Sequence, residues 1–255
     1  MIVKVGCCGF PTSMKKYFMM FKLVEVQKTF YEPPKTETLI KWRENAPEDF
    51  EFSVKAWQVL THPPSSPTWR KIKMLLKKKE NYGFLKPTDE NFKAWEKTLE
   101  ACKALKAKIC VIQTPPSFNC TQENINNIEK FFKAVKFNNI KVAWEPRGDW
   151  VNNLDKVKML CEKLNLIHIV DPLKRDAALI GETQYFRLHG LHSKKEVNYD
   201  YKYSIEDLRK LHHKIKALKK LNVNEVYVLF NNLTMDEDAK NFMKIASAIE
   251  GEKLE

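Results

Sequence analysis

The residues with chemistry to offer stand where apolar runs end. In Lys141-Val-Ala-Trp-Glu-Pro-Arg-Gly-Asp-Trp150 a β-type run closes on Glu145 and, two residues later, Arg147, while Pro146 and Gly148 stop the strand and turn the chain. Residues two apart on a strand share a face, so a carboxylate and a guanidinium are presented together, the usual setting of a general base beside a cation. Other runs end in the same manner. Cys8-Gly9 closes the first, Glu25 and Gln27 with Phe30-Tyr31 the second, and Lys55 the third. Gln113 closes the fourth, Asp171 the sixth, Arg187 and His189 the seventh, and Asn231-Asn232 the last. Charged groups on buried strands are costly unless they neutralise one another, and one shared site accounts for their regular placement.

These residue types suit acid/base work on a small anion or a polyhydroxylated molecule. Glu145 is the expected base or acid with His189 as its proton partner, and Lys55 is a second base if desolvation lowers its pKa. Lys55, Arg147 and Arg187 are expected to hold the anion, outnumbering the carboxylates within reach if Glu25 turns toward the loop of its own strand. Gln113, Asn231 and Asn232 would orient the substrate, and Glu25, Tyr31, Asp171 and His62, the last in the proline-rich segment Thr61–Trp69, would complete its surroundings. Hydrolase, isomerase and lyase reactions all fit that set. Glu25, Glu145, Asp171 and His189 together resemble a divalent-metal set, but three cations compete at the same place and no HExxH-type motif occurs, so no metal is expected. No GxGxxG or GxxxxGK[ST] follows a strand, which counts against the alternative of an open doubly wound sheet, and no cofactor is expected. Other histidines read as structural: His168 alternates with apolar neighbours as a core residue, and His212-His213 lie on an amphipathic helix facing solvent.

Eight β-rich runs must position these groups: Ile2–Gly9, Leu23–Phe30, Phe50–Trp57, Ile109–Thr114, Ile140–Glu145, Leu166–Asp171, Tyr185–Gly190 and Val226–Asn232. Helical periodicity fills most of the intervals. It predicts helices over Thr36–Ala46 (capped by Thr36), Trp69–Lys79, Asn91–Ala107, Thr121–Val135, Leu154–Leu164, Ser204–Leu221 and Asp236–Ile249, with a short one near Arg175–Ile180. Thr121 and the acidic turn after it form a capping pattern. Alternation of this kind predicts an α/β fold, a closed (β/α)₈ TIM-type barrel of one domain over residues 1–255. The long connection between strands three and four, residues 61–107, is its one helical insertion. Catalytic groups of such barrels come from the carboxyl ends of the strands, which is where these residues stand.

The chain has 255 residues, 44% of them apolar, enough for a sizeable core in one domain. No apolar run reaches the ~18–20 residues a spanning helix needs, and no leader pattern opens the chain, so a cytoplasmic protein with no membrane partner is expected. Six cysteines without CxxC spacing are expected to be reduced and half-buried. Against 44 Lys and Arg there are 32 Asp and Glu, a formal charge of +12. That balance favours phosphate-bearing partners. It supports an alternative function, nucleic-acid binding or phosphodiester cleavage, built on the basic Arg70–Lys79 stretch, Lys194-Lys195 and the loop aromatics Trp69, Tyr199 and Tyr201.

Taken together, the motifs resemble those of the "domain of unknown function 72" family, the YecE-like proteins. The matching pieces are Gly6-Cys-Cys-Gly-Phe10, Val24-Glu-Val-Gln-Lys-Thr-Phe-Tyr31, Trp42 with Pro47, Phe50-Glu-Phe-Ser-Val-Lys55, Thr61-His62 and Gln113-Thr-Pro-Pro-Ser-Phe118. Trp144-Glu-Pro-Arg147 with Trp150, Tyr185-Phe-Arg-Leu-His-Gly190 and Phe230-Asn-Asn232 complete them. The resemblance implies a TIM-type barrel and no assigned reaction. This chain departs from the family where the usual Gly-Thr-Ser-Gly-Trp opening reads Cys7-Cys8-Gly9-Phe10, and where the usual Glu-Phe-Arg-His reads Glu145-Pro146-Arg147-Gly148.

Overall fold

In the computed structural model, which describes residues 1–192 and 196–250, eight parallel strands hydrogen-bond in sequence order and close into a barrel. The strands are β1 Ile2–Cys8, β2 Leu23–Val26, β3 Glu51–Lys55, β4 Ile109–Gln113, β5 Lys141–Glu145, β6 Ile167–Val170, β7 Thr183–Leu188 and β8 Glu225–Phe230. Helices α1 Met14–Phe18, α2 Lys28–Tyr31, α3 Thr36–Glu44, α4 Asp89–Ala104, α5 Gln122–Ala134, α6 Leu154–Leu164, α7 Ile205–Leu218 and α8 Met235–Glu250 follow the strands, with two of them between β2 and β3 and, among the described residues, none between β6 and β7. The expected (β/α)₈ architecture is therefore present. Lys194 and Lys195 lie outside the described residues. None of the described helices is long and apolar enough to cross a membrane.

Contacts divide the chain into two compact units. The first comprises Met1–Glu25, Ala46–Glu51 and the described part of Ile167–Glu255. Here β1, β7 and β8 run in register, Lys4 beside Tyr227 and Tyr185 beside Tyr227, with Arg187 beside Leu229. Alternation puts Lys4, Tyr227 and Tyr185 in one row and Arg187 in the next. The two tyrosine rings stack at 5.6 Å. Lys4 Nζ donates to Glu51 and Glu225 at 2.9 and 2.8 Å, and the Tyr227 hydroxyl donates to Glu51. Gly6 lets β1 and β2 meet, since a Cβ there would lie 2.2 Å from the Leu23 carbonyl oxygen.

The second unit comprises Val26–Asn45 and Phe52–Leu166. Lys55 of β3 pairs with Val111 of β4, and Gln113 of β4 pairs with Glu145 of β5. Helix α4 buries Ala94, Trp95, Thr98, Ala101 and Cys102, a stripe at helical spacing. Trp95 and Phe92 of that helix both pack on Phe131 of α5. Thr121 caps α5 by accepting from the Asn124 N–H.

Several expected elements differ from those observed. The second run turns helical after Val26, because Thr29 Oγ1 lies within hydrogen-bonding reach of the Val26 and Lys55 carbonyls and folds the chain back as α2. The N-cap of α3 is Lys35 rather than Thr36. No helix spans 69–79: a 3₁₀ turn covers Pro67–Lys71, and the Lys73 and Met74 amides then donate to Glu32. An apolar stripe there has nothing to pack on, as Leu75 at 85% exposure shows. The 175–180 segment is also non-helical, and the Ala178 amide donates to His168 Nδ1 instead. None of the six cysteines, all of them among the described residues, is in a disulfide, and all but Cys120 are buried rather than half-buried.

Candidate functional site

The residues singled out at strand ends fall into two sets, one in each unit. In the second unit, register carries Lys55, Gln113 and Glu145 to the ends of three consecutive strands. Lys55 Nζ donates to Gln113 Oε1 at 2.8 Å and stands 4.1 Å over the Phe30 ring. Arg147 Nη2 donates to Glu145 Oε1 at 3.1 Å, with side-chain exposures of 11% and 7%. The pair expected from their spacing is thus formed. Gly148 follows with φ +72°, and a Cβ there would lie 2.5 Å from the Pro116 carbonyl oxygen, so only glycine turns the chain tightly enough to leave Arg147 in place.

His62 belongs to the same unit. Its ring meets Phe30 edge-on at 5.0 Å, so Lys55 and His62 share one aromatic neighbour. Burial, the Lys55 charge and the Arg147 charge push its pKa down to about 3, which keeps the imidazole neutral at ordinary pH. Tyr31 is half-buried at the end of α2; its carbonyl accepts from Trp57 Nε1 and Gln58 Nε2, and Lys71 sits over its ring at 4.1 Å.

The first unit holds Glu25, Asp171, Arg187, His189, Asn231 and Asn232. Glu25 and Arg187 are both fully buried and lie 3.0 Å apart, and Tyr185 donates its hydroxyl proton to the other Glu25 oxygen at 2.9 Å. This corrects the expectation that Glu25 and Arg187 face a substrate, with Arg187 left to hold an anion if Glu25 turned to its own loop. The β7 register aims Arg187 inward, and a guanidinium at zero exposure needs the carboxylate. Asn232 is corrected too. Its Nδ2 donates to the Tyr201 carbonyl and to Asp238, which ties the end of β8 to α8 instead of facing a substrate.

Asp171 accepts the His189 amide at 3.1 Å and the Leu173 amide at 3.1 Å. Burial pushes its carboxyl up to about 6, against those amides and the nearby Lys174 and Arg175. Asn231 Nδ2 lies 3.1 Å from His189 Nδ1, which puts the imidazole proton on Nε2. Asp171, His189 and Asn231 thus meet at the ends of β6, β7 and β8.

Sequence reasoning missed the supporting residues. Tyr185 stands two before Arg187 on β7, and that spacing alone pointed to the shared face. Thr61 beside His62 and Asp238 on α8 carried no local signal. His212 was expected in solvent but is 4% exposed, because Leu208, Leu211 and Ile215 place it on the packed face of α7; His213 is exposed. His168 is buried and hydrogen-bonded, as its alternation predicts. Of the loop aromatics, Trp69 donates to the His62 carbonyl and Tyr201 to Asp207, and Tyr199 is 51% exposed. No group of three or more His, Cys, Asp or Glu among the described residues is placed to hold a metal ion.

Eight parallel strands that close on one another, most with a polar or ionisable residue at or just after the carboxyl end, define a TIM-type barrel. The chain belongs to the DUF72 family, proteins of unknown function, whose model matches residues 9–254, and the YecE-like resemblance is that same family. A DUF72 family protein of Enterococcus faecalis aligns over 99% of this chain and 98% of its own, with TM-score 0.74 and 19% identity. Another, of Thermotoga maritima, aligns over 98% and 100%, with TM-score 0.70 and 22% identity. Endonuclease IV of Thermus thermophilus aligns over 98% of each chain at TM-score 0.51 and 12% identity. At these identities the likeness is one of fold. A search of curated proteins finds no match.

Proposed function

We propose that this protein is an enzyme that performs acid/base chemistry on a small substrate bearing a phosphate or carboxylate, at the carboxyl ends of β3, β4 and β5. The observation that carries the reading is the line Lys55–Gln113–Glu145–Arg147. Hydrogen bonds link its outer pairs and the β4–β5 register links its middle, and every member is nearly but not fully buried. Groups in that condition keep the strength of a low-dielectric setting and still reach a ligand.

Lys55 and Arg147 bind the anion, Arg147 through the planar fork that matches carboxylate and phosphate oxygens. Burial first, and after it the Lys55 and Arg147 charges, lower the pKa of His62, and the smaller part owed to the cations supports a positive field there. Glu145 takes or returns the substrate proton. Its bond to Arg147 orients the carboxylate, and substrate binding releases that guanidinium toward the anion. Gln113 offers its amide to a substrate hydroxyl or carbonyl. In the other unit Asp171 and His189, each beside a polar neighbour, form a second proton-handling set at the ends of β6 and β7.

Thermal stability followed during titration with sulfate, phosphate and a panel of sugar phosphates tests the reading. A ligand at a hundredfold excess over its Kd adds about 2.7 kcal/mol, and that gain should disappear in Arg147→Ala. If no anion stabilises the wild type more than this variant, the anion site is wrong. Salt-sensitive binding of single-stranded nucleic acid without any small-anion effect would support the alternative drawn from net charge.

A further inference from the structure

We infer that His62 is a further acid/base residue of the β3–β5 site, holding a proton on Nδ1 against Thr61 and accepting another on Nε2 when Lys55 and Arg147 take up an anion. This rests on the anion reading and adds a proton to it.

The loop that carries His62 does not need its imidazole. The His62 amide donates to the Gln58 carbonyl at 2.8 Å, Trp69 Nε1 donates to the His62 carbonyl at 2.9 Å, and the Phe84 amide donates to the Thr61 carbonyl at 3.0 Å. Gly83, at φ +83°, is close enough that a Cβ would meet the His62 carbonyl oxygen at 2.9 Å. The main chain and Trp69 hold this loop, which leaves the side chain available for chemistry.

The imidazole is nevertheless held in one orientation. Thr61 Oγ1 lies 2.8 Å from Nδ1 and 3.5 Å from the Gln58 carbonyl oxygen. With the hydroxyl proton turned to that carbonyl, Thr61 accepts the Nδ1 proton and the lone pair rests on Nε2. The groups around the ring come from every neighbouring element. Phe30 of α2 covers it edge-on, Lys55 stands at the end of β3, and Arg147 follows β5 in its pair with Glu145. The 66–69 and 82–85 segments reach His62 at its backbone and bring the half-buried Trp69 and the phenol of Tyr82. The charges that act on the imidazole are the two cations, which together with burial keep it neutral.

An anion bound by those cations cancels their field at the ring, and its own charge attracts a proton. The imidazole then takes one proton on Nε2, from solvent when the ligand is inert or from the substrate when it carries an acidic group. Binding and proton uptake are thereby linked.

Inorganic sulfate is the probe, because it does not titrate in this range. Calorimetry of the full chain at pH 5, in two buffers of different ionisation enthalpy, should show uptake approaching one proton per sulfate. Sulfate affinity should fall by up to about tenfold per pH unit as the coupled window is crossed. His62→Gln should bind sulfate with no uptake and a flat pH profile. Histidine ¹⁵N shifts of the wild type give a readout that needs no variant: the Nδ1–H tautomer without sulfate, and an imidazolium for His62 with it. Sulfate binding with no proton uptake, or with equal uptake in His62→Gln, would overturn the role of His62 and leave the anion site standing. Absence of sulfate binding would overturn both.

Discussion

The protein contains the same chemical pair twice, in two environments. Glu25 and Arg187 are sealed at zero exposure with Tyr185 on the second carboxylate oxygen. Glu145 and Arg147 sit at 7% and 11% exposure where β5 ends and the chain turns. A pair buried at zero exposure is structural: its charges have no water to return to, so removing one strands the other. A pair at a strand end retains access to solvent and can exchange its partner for a ligand. Exposure is what separates the two pairs, and under the proposed function only the second is open to a ligand.

The largest expected effect breaks the sealed pair. Arg187→Met should lower stability by about 3–5 kcal/mol in urea denaturation, whereas Arg147→Met should cost about 1 kcal/mol or less. Adding Glu25→Gln to Arg187→Met should recover much of the loss. Equal costs for the two arginine variants would remove the distinction between the pairs.

Next comes the turn that holds the open pair. Gly148→Ala forces a side chain onto φ +72° and against the Pro116 carbonyl, at a cost of about 1–3 kcal/mol. Gly181→Ala, where a Cβ meets nothing within 4 Å, should stay within about 0.5 kcal/mol. Thermal melts of the two variants check this.

The two units also differ in pH response. His62 in the folded chain binds its proton only near pH 3 against an ordinary 6.5, so the unfolded chain holds more protons between these values. Its contribution to stability is complete above about pH 6.5 and is lost on acidification toward 3. Asp171, pushed up to about 6 from 3.8, acts in the opposite sense: the folded chain holds more protons, and stability falls as pH rises through that window. Each slope is at most about 1.4 kcal/mol per pH unit. Urea midpoints across pH 3–8 should show His62→Gln flattening the acid limb and Asp171→Asn gaining on the wild type as pH passes 4 to 6.

The smallest expected stability change is at Glu145. Glu145→Gln keeps volume and most hydrogen bonding, so it should remain within about 1 kcal/mol of the wild type or exceed it, while any turnover falls by about 10²–10⁴-fold. A loss of several kcal/mol would instead place it in the same class as Glu25.

Much of the site is legible without the fold. Gln113, Glu145 and Arg147 stand out because each ends an apolar run, and Arg187 and His189 because they stand two apart. The helix expected over 69–79 failed because periodicity registers an apolar stripe whether or not a surface exists to receive it, and Leu75 remains in solvent. His212 failed for the converse reason, since a histidine on the packed stripe of α7 is buried regardless of its polarity. Asn232 looked like a second ligand amide because its bond partners Asp238 and Tyr201 lie on other elements.

The sequence by itself determined the alternation of strands and helices, the barrel class and the polar ends of the strands. Those follow from backbone periods of two and 3.6 residues and from the cost of interrupting an apolar strand with charge. Only the tertiary structure decided which charges neutralise one another. Glu25 meets Tyr185 across 160 residues of chain, and Lys55 meets Gln113 across 58. Such pairings depend on strand register and on the exclusion of water, and neither is written in the local spacing of residues.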